Sequence, residues 1–156
     1  MNKSSAALLQ FVPVCIGIVM LVLMLWEPHL EGRNVNATLF QIYFNDPFLA
    51  YAYTASIPGF VALYRAYRAL GYVRENNTFS PATVQAVRSI KYCALAVAAF
   101  VVGGEAWLFL YQSGKEDIAG GVAIGLFFIV VFAVIAMAAA RVERFLQNGM
   151  DASYRA

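Results

Sequence analysis

The chain has 156 residues, of which 62% are hydrophobic and only 13% are charged. Soluble domains carry about 25% charged residues, so this composition excludes an ordinary soluble domain and indicates a membrane protein whose main partner is the lipid bilayer. The small net charge of +2 gives no indication of nucleic-acid binding. Two cysteines and one histidine are too few for structural zinc, which takes about four ligands, and we predict no cofactor or metal.

Four apolar segments follow one another along the chain, each close to the about 20 residues that a helix needs to cross a bilayer. We therefore predict an all-α integral membrane bundle, with a single transmembrane domain over 1–156 and helices at about 6–26, 47–70, 81–111 and 118–147. The first segment is longer than the roughly 7–15 apolar residues of a cleaved signal peptide. We expect it to be a retained anchor.

Local signals place the ends of the second and third predicted helices. Asp46 is a favourable N-cap, and Pro47 follows at the first helical position, where its missing N–H is tolerated. Gly71 is predicted to end the second helix as its C-cap. Ser80 and Pro81 repeat the start signal for the third helix, whose first turns are expected to lie at the membrane surface before the helix enters the bilayer.

The basic residues predict the orientation of these helices. Of the eleven Lys and Arg residues, nine belong to the N-terminus, the end of the second helix, the start of the third helix or the C-terminal tail. These nine are Lys3, Arg65, Arg68, Arg74, Arg88, Lys91, Arg141, Arg144 and Arg155. The positive-inside rule places such residues in the cytoplasm. We predict an up-down-up-down arrangement in a cell membrane, with both termini cytoplasmic.

A subset of these cations is expected to contact lipid headgroups. The candidates are Arg65, Arg68, Arg74, Arg88 and Lys91. Each cation beside an anionic leaflet contributes about 1 kcal/mol of attraction. A docking site for a partner protein is the alternative interpretation of the same cluster.

Glu105 is the candidate functional residue inside the third predicted helix. Intramembrane carboxylates commonly face a bundle interior or water, so Glu105 is either a proton or cation site or an acid that reaches the outer interface. Pro58 and Gly59 interrupt the second helix, where proline removes a helical hydrogen bond, and they form either a hinge or a packing bend. For the GxxxG pair Gly121 and Gly125, we expect packing within the chain rather than dimerisation.

A set of motifs runs from the second helix into the third. The motifs are Ile57–Tyr64, Leu70–Val73, Asn76–Ser80, Val84–Val87 and Ser89–Ala94. In this order and spacing they resemble the bacterial membrane family catalogued as domain of unknown function 2975. Its members are similar in length, with four predicted helices, an IP-x-F-x-x-LY segment and a short N-x-x-FS loop. The resemblance implies a four-helix membrane fold and assigns no activity, cofactor or site residue.

The polar residues inside the predicted helices are too few to line a polar pathway or to build a catalytic site. We therefore predict a non-enzymatic accessory or regulatory membrane protein that acts with a membrane-protein partner or as a homo-oligomer. The alternative is a small transporter or ion-conducting oligomer that uses Glu105, with Pro58 and Gly59 as the moving part. An enzyme acting on quinones or lipids has the least support.

Overall fold

A computed structural model of the chain describes residues 3–30, 38, 40, 47–111 and 119–155. The described residues form four helices: α1 (Lys3–Leu30), α2 (Pro47–Arg74), α3 (Pro81–Tyr111) and α4 (Ala119–Arg155). The all-α class and the number of helices agree with the sequence-based prediction. The bounds of α3 coincide with the predicted ones, whereas α1, α2 and α4 extend beyond theirs.

Three of the four helices contain a stretch long and apolar enough to cross a membrane. These stretches are Ala7–Trp26, Pro81–Leu110 and Ala119–Ser153. α2 contains no such stretch, because tyrosines, Thr54, Ser56 and Pro58 interrupt its apolar residues and three arginines follow in its last third. Membrane crossing by α2 therefore stays a prediction.

α2 does not end at Gly71, as the C-cap prediction required, but continues to Arg74. Gly71 instead allows a close approach of α1, since a Cβ at this position would lie 2.9 Å from Nε2 of Gln10. The chain turns at Asn76, whose φ of 61° lies in the left-handed region that asparagine tolerates better than most residues. The prediction was wrong because Gly71 lies inside α2 against the Gln10 side chain, a contact between helices that the local sequence does not show.

The start of α3 follows the Ser80–Pro81 signal. Ser80 Oγ accepts a hydrogen bond from the backbone N–H of Thr83 at 3.3 Å. The Thr83 hydroxyl donates to the carbonyl of Asn77 at 2.8 Å, and Thr83 is only 2% exposed. The loop between α2 and α3 is therefore fixed to the first turn of α3.

Each helix packs on the next one in sequence: α1 on α2, α2 on α3 and α3 on α4. Within the described residues, α1 and α4 show no packing of comparable extent. The four helices thus form a row rather than the closed compact bundle that was expected. An open row is compatible with a membrane, because lipid tails cover apolar helix faces about as well as another helix does.

Contacting residues occur in opposite orders along neighbouring helices. The pairs are Gln10–Tyr67 and Met24–Tyr53 between α1 and α2, Tyr51–Phe100 and Phe48–Trp107 between α2 and α3, and Arg88–Glu143 and Leu108–Gly121 between α3 and α4. The helices are therefore antiparallel to their neighbours and share two opposite ends along their axes, named here after Glu143 and Trp107. The Glu143 end comprises the start of α1, 65–93 and 136–155, and the Trp107 end comprises the end of α1, 47–54, 100–111 and 119–128.

The buried apolar residues concentrate at the Glu143 end. The cluster consists of Ala69, Val84, Ala86, Val87, Ala139 and Leu146, with Ile90 packed against it. By contrast, many large apolar side chains along α1 and the middle of α4 are exposed, as expected for surfaces that face lipid. The best-packed part of the described chain is therefore the Glu143 end.

Candidate functional site

Glu143 is a buried carboxylate that joins α4 to α3. The residue is 6% exposed. Its Oε1 accepts a hydrogen bond from Arg88 Nε at 2.6 Å, and its Oε2 accepts one from Lys91 Nζ at 2.7 Å. Arg88 and Lys91 are three residues apart and lie on the same face of α3. Because two cations satisfy both oxygens of one buried acid, this Glu143 clamp fixes the two helices against each other.

The sequence-based reasoning missed Glu143. The available signal was a single carboxylate among the arginines that follow the last apolar segment, opposite two cations spaced to share a helix face. Two of the predicted headgroup residues, Arg88 and Lys91, form this internal ion pair, and their contact with headgroups stays a prediction. The Arg88 side chain is nevertheless 47% exposed, against 22% for the Lys91 side chain. About half of the Arg88 side chain therefore remains on the surface of the protein.

The three other predicted headgroup residues lie on α2 and have different environments. Arg74 Nη1 donates to Oε1 of the buried Gln10 at 3.2 Å, which ties the end of α2 to α1. Arg65 is half-buried, and its Nε is buried without a hydrogen-bond partner. Arg68 is exposed and donates to two tyrosine hydroxyls of its own helix. Of the five cations, Arg68 therefore has the environment closest to the predicted one.

Parts of α3 and α4 extend past the start of the apolar stretch of α1. That stretch begins at Ala7, and Gln10, one turn later, contacts Arg74 near the end of α2. α4 has 37 residues, or about 55 Å of helix, whereas the hydrocarbon core of a bilayer is about 30 Å thick. We call residues 75–87 and 144–155, the parts of the α2–α3 loop, α3 and α4 that lie farthest from the Trp107 end, the projection.

An aromatic pair joins the loop of the projection to α4. The Phe79 ring lies against Gly149, in the space that a Cβ at this position would fill. The centroids of the Phe79 and Phe145 rings are 6.0 Å apart. Phe79 is 46% exposed and Phe145 is 65% exposed. The projection therefore presents two aromatic side chains on a surface that the Glu143 clamp and the buried cluster hold in place.

Glu105 lies at the Trp107 end, where α3 packs on α4. Its carboxylate occupies the space above the buried Gly125 that a Cβ would take, and its Oε2 is buried without a hydrogen-bond partner. One turn away, a Cβ on Gly121 would lie 3.6 Å from the Leu108 side chain. The GxxxG pair thus packs on α3 within the chain, as expected.

The surroundings of Glu105 are apolar. Tyr51 donates its hydroxyl to the Phe100 carbonyl at 2.6 Å, and the ring of Phe48 stacks on that of Trp107 at 5.9 Å. A cavity of about 440 Å³ opens between α2 and α3, lined by Pro47, Phe48, Tyr51, Gly103, Gly104 and Trp107. Glu105 faces α4 and therefore does not line this cavity. Within the described residues, no polar side chain of α3 or α4 lies between Glu105 and the middle of these two helices.

Pro58 and Gly59 lie far from Glu105, in the part of α2 that contacts α1. α2 remains helical through Pro58, and a Cβ at Gly59 would lie 3.6 Å from the Met20 methyl group. The hydroxyls of Thr54 and Ser56 donate to carbonyls of their own helix at 2.9 and 2.7 Å. Neither hydroxyl binds the Thr54 carbonyl that Pro58 leaves without its helical partner. The structure therefore does not bring the predicted hinge and Glu105 into one site.

Comparison with known proteins confirms the suspected family. Residues 35–153 match the family described as Protein of unknown function (DUF2975). The chain belongs to the DUF2975 family. It is 34% identical over 153 residues to the uncharacterized membrane protein YoaS of Bacillus subtilis (strain 168), a match that covers 97% of this chain and 94% of that protein. No solved structure matches the chain.

The DUF2975 match covers α2, α3 and α4 in nearly their full length. It therefore includes the Glu143 clamp, the projection and Glu105. Together with the bacterial relative and the three apolar helices, it establishes a membrane protein with transmembrane helices. The family description assigns no chemistry to these residues, so a function has to be argued from their arrangement.

Proposed function

We propose that this DUF2975 protein is a non-enzymatic accessory or regulatory protein of the bacterial inner membrane that acts by binding a partner protein at its projection. In this proposal all four helices cross the bilayer, up-down-up-down, and both termini and the projection lie in the cytoplasm. The supporting observation is the Glu143 clamp, which holds α3 and α4 together at the base of the projection.

Two observations support the crossing of α2, and a third supports the orientation. Residues 47–64 of α2 contain no Asp, Glu, Lys or Arg, and α2 packs on both α1 and α3. A helix between two membrane-spanning neighbours has its polar atoms partly covered by protein, which lowers the hydrophobicity that it needs to cross. The nine cations of the Glu143 end and the termini favour the cytoplasmic side for that end.

The exposed aromatic pair supports an interaction role. Phenylalanine rings that remain exposed outside lipid lose the free energy of burial, about 25 cal/mol per Å² of apolar surface, and a contiguous apolar patch commonly marks an interaction site. Phe79 and Phe145 are attached to a rigid support rather than to a mobile loop. A preorganised surface loses less conformational entropy on binding, which suits a docking site.

A photo-crosslinking experiment tests this proposal. A benzoylphenylalanine placed at Phe145 in native membranes is expected to give one discrete protein adduct. The same probe at Phe127, an equally exposed phenylalanine of α4 (63%) within the proposed span, is expected to react with lipid only. Phe79→Ala, which removes half of the aromatic pair, should reduce the Phe145 adduct at least several-fold. No protein adduct at Phe145, or equal adducts at both positions, would contradict the proposal.

The competing candidate is a small transporter or ion-conducting oligomer that uses Glu105. The unpartnered Oε2 of this residue favours it, since ionisable residues within transmembrane helices commonly mark ion pathways. Against it stand the position of Glu105 near the Trp107 end and the apolar residues that separate it from the Glu143 clamp. A conducting path would need polar groups between these two carboxylates.

Flux measurements in proteoliposomes separate the two candidates. Transport through Glu105 requires proton or cation flux that Glu105→Gln abolishes. The interaction proposal expects the native chain and the Glu105→Gln variant to give the same flux as empty vesicles. Flux that depends on Glu105 would replace the interaction proposal with the transport one.

A further inference from the structure

A ladder of three side chains lies on the exposed face of α2 at the Glu143 end. Tyr64, Arg68 and Tyr72 are each four residues apart and therefore lie along one stripe of the helix. Arg68 Nη2 donates to the Tyr72 hydroxyl at 2.9 Å, and Nη1 lies 3.4 Å from the Tyr64 hydroxyl. The Arg68 Cζ is 5.4 Å from the centroid of the Tyr72 ring. These contacts hold the guanidinium in one orientation, and we call the three residues the Arg68 ladder.

The Arg68 ladder lies at the level where the apolar stretch of α1 begins. The neighbouring residue Tyr67 accepts a hydrogen bond from Gln10 through its carbonyl, and Gln10 is three residues past Ala7, the start of that stretch. At about 1.5 Å per residue, Arg68 is within about one helical turn of the expected boundary between hydrocarbon and headgroups. Tyrosine and arginine side chains are enriched at this depth, where an apolar stem meets polar headgroups.

The hydrogen-bonding capacity of the ladder is only partly used. A guanidinium has five N–H donors, and Arg68 donates one of them to each tyrosine hydroxyl. Each hydroxyl accepts from Arg68 and keeps its own proton for another acceptor. Arg68 forms no ion pair with a carboxylate within the described part of the chain, in contrast to Arg88 and Lys91. The ladder therefore presents several donors and an uncompensated positive charge toward the headgroup region.

We propose that the Arg68 ladder binds the phosphate of an anionic phospholipid of the adjacent leaflet. The planar fork of a guanidinium matches two phosphate oxygens, and the tyrosine hydroxyls donate to the remaining oxygen atoms. Unlike Arg88 and Lys91, whose partner is the Glu143 carboxylate, Arg68 is oriented by the neutral hydroxyls of two tyrosines. This inference does not depend on a partner protein at the projection.

Lipid retention measured by native mass spectrometry tests the proposal. The full chain in detergent micelles is mixed with phosphatidylglycerol or with phosphatidylcholine of the same acyl chains. We expect adducts of phosphatidylglycerol to persist at collision energies that remove phosphatidylcholine. Arg68→Gln should reduce the phosphatidylglycerol adduct about tenfold, Tyr72→Phe about threefold, and Arg68→Lys to an intermediate level, because lysine keeps the charge but loses the fork.

Arg141→Gln is the matched control, since Arg141 is an exposed arginine of α4 at the Glu143 end without a tyrosine beside it on the same stripe. Its adducts should equal those of the native chain, and unchanged melting temperatures show that the variants are folded. Equal losses for Arg68→Gln and Arg141→Gln would overturn the proposal in favour of general charge attraction. Displacement of the lipid by millimolar inorganic phosphate would also overturn it, since the site would then recognise a free anion.

Discussion

Replacing Glu143 with glutamine is expected to lower the free energy of unfolding of the purified protein by about 2 kcal/mol. Removing one partner of a fully buried ion pair costs about 3–5 kcal/mol, because the other charge is left uncompensated. Here the loss is smaller, since the Arg88 side chain is 47% exposed and can be solvated once released. Unfolding in detergent micelles, followed by loss of helical circular dichroism, measures the effect.

Asp151→Asn provides the matched control for this substitution. Asp151 is an exposed carboxylate on the same helix and forms no ion pair with any described side chain. Its replacement is expected to change the free energy of unfolding by less than about 0.5 kcal/mol, as surface substitutions usually do. Equal effects of the two substitutions would show that net charge, and not the Glu143 clamp, determines the stability of this end.

Gly125→Ala is expected to destabilise the protein by about 1–3 kcal/mol, the usual range for overpacking a well-filled site. The added methyl group would occupy the space that the Glu105 carboxylate takes above Gly125. Gly120→Ala, five residues earlier on α4, is the control because a Cβ there meets nothing within 4 Å. Thermal unfolding of both variants should show a loss for Gly125→Ala and no loss for Gly120→Ala.

A double-mutant cycle assigns this effect to Glu105. Glu105→Ala removes the carboxylate, so the double variant with Gly125→Ala should recover at least about 1 kcal/mol relative to the sum of the single effects. Additive effects would mean that Glu105 does not lie over Gly125. The same cycle places the carboxylate between α3 and α4 independently of any flux measurement.

The parts of the fold that were predicted correctly depend on local signals. The start of α3 follows from Ser80 and Pro81, where a hydroxyl cap and a proline act within one turn of the chain. The number of helices follows from apolar segments of membrane-spanning length. For α2 the prediction placed the start correctly and the end wrongly, because the role of Gly71 is decided by Gln10 on another helix.

The ion pairs of the Glu143 end could not be predicted in the same way. Arg88 and Glu143 are 55 residues apart in sequence, and their contact depends on how α3 and α4 are rotated against each other. Four of the five cations that were predicted to contact headgroups consequently form different contacts. Arg88 and Lys91 neutralise one acid, Arg74 binds a glutamine of α1, and Arg68 is held by tyrosines.

Cysteine accessibility in intact cells tests most directly whether the Glu143 end is cytoplasmic and α2 crosses the membrane. In a chain with both native cysteines replaced by alanine, single cysteines are introduced at Asn77 and Ala152 at the Glu143 end, and at Asn36 and Ser113 in the other two connections. A membrane-impermeant maleimide is expected to label positions 36 and 113 in intact cells, and positions 77 and 152 only after permeabilisation. Labelling of position 77 or 152 in intact cells would contradict the four-span arrangement and the cytoplasmic projection.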